Sequence, residues 1–231
     1  GTIEPFAIDY YVIFGALAGA ITWNVITWYY GIPSSSSHAL IGGLIGPALV
    51  HAGPEALITS GVIKVVAFIL VSPLLGMVLG SLRMILVSWL FRNTTPRRVD
   101  KWSRLLQLFS ASAYALGHGG NDAQKTIGII WMLLLSSGMM QPGDHVPYWV
   151  VACCYAAIGL GTVFGGWRII KLMGQKITKL KPVGGFCAQT GGAATLFFAT
   201  ALGIPVSTTH TITGAIVGVG ATKRLSAVRW G

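Results

Sequence analysis

Residues 31–47 read GIPSSSSHALIGGLIGP, and residues 203–219 read GIPVSTTHTITGAIVGV. At a constant offset of 172, Gly31, Ile32, Pro33, Ser35, His38, Gly42 and Gly46 recur as Gly203, Ile204, Pro205, Ser207, His210, Gly214 and Gly218. Ser36 and Ser37 keep their hydroxyl groups as Thr208 and Thr209. Chance rarely places glycine, proline, hydroxyls and histidine in one order twice in a short chain. The period is far too long for a solenoid. It is the spacing of two large internal halves.

Each copy sits between apolar stretches. Of the 231 residues, 53% are hydrophobic and 10% charged, with a mean hydropathy of +0.69. A soluble domain carries about 25% charge, so this surface does not suit water. Disorder is excluded by the abundance of material to bury. The three cysteines, two of them adjacent (Cys153 and Cys154), lie in apolar sequence and read as small embedded side chains. An integral membrane protein remains, with 1–231 as a single transmembrane domain.

The formal charge of +10 is clustered. Five cations fall in 92–104, five in 168–181 and three at Lys223, Arg224 and Arg229. They flank apolar runs, which is the positive-inside pattern and not a nucleic-acid footprint. These three regions are expected on the cytoplasmic side. The loop 139–147, with Asp144 and no Lys or Arg, is expected outside.

A spanning helix needs about 20 residues. The stretch 147–165 fits one span. The stretch 56–91 reads as one long tilted helix containing Pro73. The stretch 105–138, interrupted by Gly117, Gly119 and Gly120, reads as a broken helix. The segments 38–50 and 210–222 are too short to cross alone. Each follows a longer arm and a Pro-Ser/Thr turn, with Pro33 and Pro205 ending the arms. Residues 8–50 and 184–222 are therefore expected to form two re-entrant helical hairpins. Hairpin one has acids and a histidine near its ends and opens outward. Hairpin two has basic ends and opens inward. Opposite openings make the repeat inverted, an architecture of secondary transporters. The expected fold is an all-α integral membrane protein, an inverted-repeat transporter with two re-entrant helical hairpins and broken helices.

Two readings of the tips stand side by side. Ser and Thr are strong N-caps, so Ser34–Ser37 and Ser207–Thr209 close buried helix starts on the first reading. On the second, a helix N-terminus offers unpaired N–H groups and about half a positive charge, which binds oxyanions. Two such tips facing each other would replace the hydration shell of an oxyanion. Of the six acids, only Asp122 lies in the middle of an apolar stretch, in GHGGNDAQK (117–125). A carboxylate there costs at least about 2.5–3.5 kcal/mol. It either pairs structurally with Lys125, three residues on, or serves Na⁺ or H⁺ coupling beside Asn121. Lys125 either holds Asp122 or attracts the anion.

The histidines of the three motifs, His38, His118 and His210, lack the H-x-x-x-H or C-x-x-C spacing of a zinc site. They are expected to be buried and bonded to backbone. Lys64 and Arg83 read as snorkelling or bundle-facing cations. Trp23, Trp28, Tyr29 and Tyr30 read as packing or interface aromatics.

The motifs GHGGNDAQK (117–125), PSSSSH (33–38) and PVSTTH (205–210) together resemble the inorganic phosphate transporter family of the Pit type. So do Trp23-Asn24 with Thr27-Trp28-Tyr29, and Gly165-Gly166-Trp167-Arg168. The resemblance runs over nearly the whole chain. It implies a symporter that moves phosphate with Na⁺ or H⁺ by alternating access, in some members as a metal–phosphate complex. It places Asn121 and Asp122 at the phosphate and cation sites, and Ser35, Ser36, Ser37, Ser207, Thr208 and Thr209 around phosphate. Lys125 is grouped here with the phosphate residues, and Gln124, in the same motif, with Asn121 and Asp122 around the coupling cation. No resident cofactor, metal or catalytic residue is implied.

The family carries a matching Asn-Asp motif ahead of hairpin one, and this sequence has none. It starts at Gly1 without an initiator Met. A fragment is expected, holding the second part of one repeat and most of the other, with sequence missing at both ends. Position 120 is Gly where the family has Ala or Thr. Expected partners are inorganic phosphate, Na⁺ or H⁺, the lipid bilayer and, as an assembly, a homodimer, but no nucleic acid. The expected location is the plasma or inner membrane, multi-pass. An intramembrane enzyme would need a nucleophile–base set beyond His118 and Asp122. A channel would not accumulate substrate against its gradient. A transporter of another oxyanion, such as sulfate, would share the same tips.

Overall fold

The structure, a computed structural model, describes residues 2–141, 143–204 and 206–229. Pro205, expected to end an arm of hairpin two, lies outside the described residues. The described chain is built from helices: α1 Tyr10–Tyr30, α2 Ser36–Ala52, α3 Thr59–Leu90, α4 Pro96–Ser136, α5 Tyr148–Phe164, the short α6 Trp167–Lys171, α7 Pro182–Ala201 and α8 Thr208–Ala221. A π-helical turn over Leu172–Ile177 follows α6.

Local chemistry sets the hairpin ends. Asp9 caps α1, its carboxylate accepting from the Val12 N–H at 2.7 Å. Gly31, at φ +71°, stops it. The Ile32 N–H then reaches back to the Thr27 carbonyl at 2.8 Å, and the Gly31 N–H to Trp28 at 3.1 Å. This is a Schellman motif. The same bonds recur 172 residues later, from Ile204 to Ala199 at 2.9 Å and from Gly203 to Thr200 at 3.1 Å, with Gly203 at φ +63°. Glycine supplies this left-handed backbone without strain. The stop is thus Gly31, two residues before Pro33, which falls in the linker between α1 and α2. The sequence repeat is therefore also a repeat of backbone geometry.

α4 corrects the broken helix expected over 105–138. It runs without a break from Pro96 to Ser136, through Gly117, Gly119 and Gly120. Each glycine costs a helix roughly 1 kcal/mol. An unpaired backbone group in hydrocarbon costs several. Continuity wins. α2 is also longer than the 38–50 segment, since it starts directly after the Ser35 cap and runs on to Ala52.

The chain divides into two units, residues 1–67 with 119–166 and residues 68–118 with 167–231. The division follows the repeat: each unit holds one hairpin, and α3 and α4 contribute to both. In the first unit α1 and α2 cross closely. A Cβ on Gly43 would lie 2.6 Å from the Ala16 carbonyl oxygen. α4 packs on α5 through Ala123, Val150 and Cys154. In the second unit Gly76 and Gly80 of α3 lie against Thr211 and Ala215 of α8, and Gly214 and Gly218 of α8 lie against Pro73 and Met77 of α3. A Cβ on Gly214 would fall 2.0 Å from the Pro73 carbonyl oxygen. Small residues four apart let the two backbones touch.

The exposed surface is far more apolar than that of a water-soluble protein. Phe14, Val50, Leu70 and Phe164 are largely exposed, while Ser72, Thr195, Ser207 and Thr211 are buried. So much exposed apolar surface belongs against lipid. α1 and α3 are each long and apolar enough to cross a membrane.

Candidate functional site

The first tip forms around the start of α2. Ser35 is the N-cap, its hydroxyl accepting from the His38 N–H at 3.3 Å. This leaves the amides of Ser36 and Ser37 without an acceptor inside the helix. α4 brings its motif to this point. The Ser36 hydroxyl donates to Asp122 Oδ2 at 3.4 Å. Lys125 Nζ donates to Ser37 Oγ and to Asp122 Oδ1 at 3.1 Å. The Asp122 and Lys125 side chains are 13% and 24% exposed. Ala123, fully buried against α5, fixes the rotation of α4 that turns Asp122 and Lys125 toward α2.

The two readings of Asp122 and Lys125 thus meet in one arrangement. The intrahelical pair exists, and it is also tied to the hydroxyls of another element. Asn121 supplies a further feature, a buried side-chain nitrogen with no hydrogen-bond partner. Such a group is costly unless a ligand or water satisfies it. Gln124 is not part of this group. It is exposed and, two residues on, sits about 200° around the helix from Asp122.

Trp23 has more than a packing role. Its indole N–H donates to Ser34 Oγ at 3.0 Å, tying α1 to the tip linker. No spacing rule announces that bond, because it depends on how the linker folds back.

The second tip is built in the same way within its own unit. Ser207 caps α8, accepting from the His210 N–H at 3.2 Å. Ser207 and Thr208 are buried, and Thr209 is half-buried. The Tyr114 hydroxyl donates to the Thr208 carbonyl at 2.9 Å. Tyr114 was missed in the sequence, although it stands one turn before His118, and their rings are 6.2 Å apart. The His210 side chain hydrogen-bonds the backbone of Ile69. Ile69 lies four residues before Pro73, whose ring nitrogen carries no hydrogen for that carbonyl. The histidine takes the place of the missing helical donor, which agrees with the backbone-bonded role expected for it. Among the described residues, no three or more His, Cys, Asp or Glu side chains are grouped to hold a metal ion.

Chemically, the first tip offers an oxyanion two amides, two hydroxyls and an ammonium group, with a carboxylate alongside. These groups are carried on helices whose outer faces are apolar, as in a membrane protein. The sequence model of the Phosphate transporter family matches residues 2–231, and the chain belongs to that family. It is 61% identical over 231 residues to a Rhizobium meliloti (strain 1021) protein named "Probable low-affinity inorganic phosphate transporter". The match covers 100% of this chain and 69% of that one. A Bacillus subtilis (strain 168) protein of the same name is 44% identical, over 99% of this chain and 69% of its own length. A solved structure named "The sodium-dependent phosphate transporter" shares the fold, with a TM-score of 0.82 at 22% identity. That likeness covers 98% of this chain and 74% of that chain. These relatives are transporters by name, not enzymes.

Proposed function

We propose that the chain carries out symport of inorganic phosphate, coupled to Na⁺ or H⁺, by alternating access of two inverted repeats with re-entrant hairpins. The observation that carries this reading is the Asp122–Lys125 pair bonded to Ser36 and Ser37 at the start of α2. Phosphate binds there through Ser35, Ser36, Ser37, Asn121 and Lys125, and Ser207, Thr208 and Thr209 form the matching phosphate-binding helix start in their own unit. Asn121 and Asp122 serve the cation. Gln124 joins them only if α4 rotates.

The coupling follows from charge. With the site empty, Lys125 balances Asp122. Phosphate arrives with one to two negative charges and competes for the ammonium group. Asp122 is then left beside an anion in a poorly solvated place, where unpaired charge is costly. A Na⁺ at the carboxylate, or a proton on it, removes the penalty. Phosphate and cation therefore bind better together than apart. The protein is placed in the plasma or inner membrane as a multi-pass chain.

Accumulation of radiolabelled phosphate in proteoliposomes tests the reading. A symporter concentrates phosphate in response to an imposed Na⁺ or H⁺ gradient and loses it when an ionophore collapses that gradient. Uptake that only equilibrates would indicate a channel. Accumulation of sulfate in place of phosphate would keep the mechanism and replace the substrate.

A further inference from the structure

We propose that the N-terminal turns of α4 hold an anionic phospholipid. The proposal rests on the membrane reading of the chain and not on phosphate transport. Arg98, Lys101, Trp102, Arg104, Leu105 and Leu108 line an open groove of about 690 Å³.

α4 presents opposite chemistry on its two sides here. Its inward side is polar and buried at Ser103 and Ser110, and Ser110 donates to Gln189 Oε1 at 2.9 Å. Its outward side is apolar and exposed at Trp102, Leu105 and Leu108, by 56%, 48% and 66%. That side changes along its length. The three cations occupy residues 98–104, and the leucines follow within about one more turn. A lipid phosphate group reaches the cations while an acyl chain lies over Leu105 and Leu108. Trp102 stands at the boundary, where amphipathic rings favour the membrane interface.

The two halves together select the occupant. A free phosphate or nucleotide matches the cations and leaves the leucines wet. A zwitterionic lipid covers the leucines but leaves the cluster uncompensated. An anionic phospholipid matches both, and basic clusters beside membrane segments attract such headgroups.

The test uses the full chain in nanodiscs of phosphatidylcholine with and without phosphatidylglycerol. Lipid retained after detergent extraction is identified by native mass spectrometry. The expected result is selective retention of phosphatidylglycerol, unchanged in Lys101→Arg and not displaced by inorganic phosphate. Each cation is worth about fivefold in binding, so Arg98→Gln, Lys101→Gln and Arg104→Gln together lower retention on the order of a hundredfold. Equal retention of both lipids, wild-type retention in the triple variant, or displacement by phosphate overturns the proposal. Failure to enter discs of either composition removes the membrane reading and this proposal with it. Incorporation without lipid selectivity removes this proposal alone.

Discussion

Lys125 Nζ lies 3.1 Å from Asp122 Oδ1, one helical turn away on α4, and the same ammonium group donates to Ser37 at the first turn of α2. One cation therefore holds together the only acid in an apolar stretch and the helix start best suited to an anion. Replacing Lys125 by Met leaves a mostly buried carboxylate without its charge partner. The expected outcome is a rise in the phosphate concentration for half-maximal uptake of about tenfold or more. A melting curve in detergent is expected to show destabilisation of about 1–3 kcal/mol. Unchanged uptake kinetics in a folded Lys125→Met protein would remove the lysine from the site.

His210 and Pro73 make a coupled pair through the Ile69 carbonyl. His210→Ala leaves that carbonyl unsatisfied and is expected to lower stability by about 1–3 kcal/mol. Pro73→Ala restores an N–H at the position that serves Ile69 in a regular helix. The double variant is then expected to lose much less than His210→Ala alone loses. Simple additivity in this thermal-unfolding cycle would contradict the assignment.

Gly42 and Gly214 occupy equivalent places in the repeat but differ in their surroundings. A Cβ on Gly42 meets nothing within 4 Å, whereas on Gly214 it meets the Pro73 backbone at 2.0 Å. Gly42→Ala is expected to be neutral or stabilising by up to about 1 kcal/mol. Gly214→Ala is expected to be destabilising by about 1–3 kcal/mol or more, because the backbone it strikes is part of α3. Equal melting temperatures for the two variants would show that the α3–α8 contact is looser than described.

Ser35 and Ser207 are matched caps, bonded to His38 and His210 amides at 3.3 and 3.2 Å. Each Ser→Ala change is expected to cost about 1 kcal/mol. Ser35→Gly is expected to keep most of the stability, because glycine is a tolerable cap. Comparing alanine with glycine in uptake and in melting separates capping from phosphate contact. A residue that only caps loses little transport as glycine.

What could be read in the sequence was local. The Ser35/Ser207 caps depend on a few neighbouring residues, so the repeat disclosed them, whereas the first arm was expected to stop at Pro33 and stops at Gly31 instead. The pairing of Asp122 with Lys125 follows from helical spacing. The α3–α8 contact was hidden because Gly76 and Gly80 meet partners more than a hundred residues away. Long separation in the chain also hid the Tyr114 bond to Thr208 and the link between Pro73 and His210. Gly117, Gly119 and Gly120 misled in the other direction. Their low propensity suggested a break, and the need to satisfy backbone groups in an apolar setting kept α4 whole. Gln124 was grouped with Asp122 by adjacency in the motif, although helical geometry turns it to another face.

The central claim is that Asp122 makes phosphate binding depend on a cation. Its most direct test compares wild type with Asp122→Asn in proteoliposomes, measuring phosphate uptake with an imposed Na⁺ gradient, an imposed H⁺ gradient and neither. The account predicts accumulation driven by one of the gradients in wild type, and loss of that gradient response in the variant while the protein stays folded and inserted. Gradient-driven accumulation that persists in Asp122→Asn would contradict it.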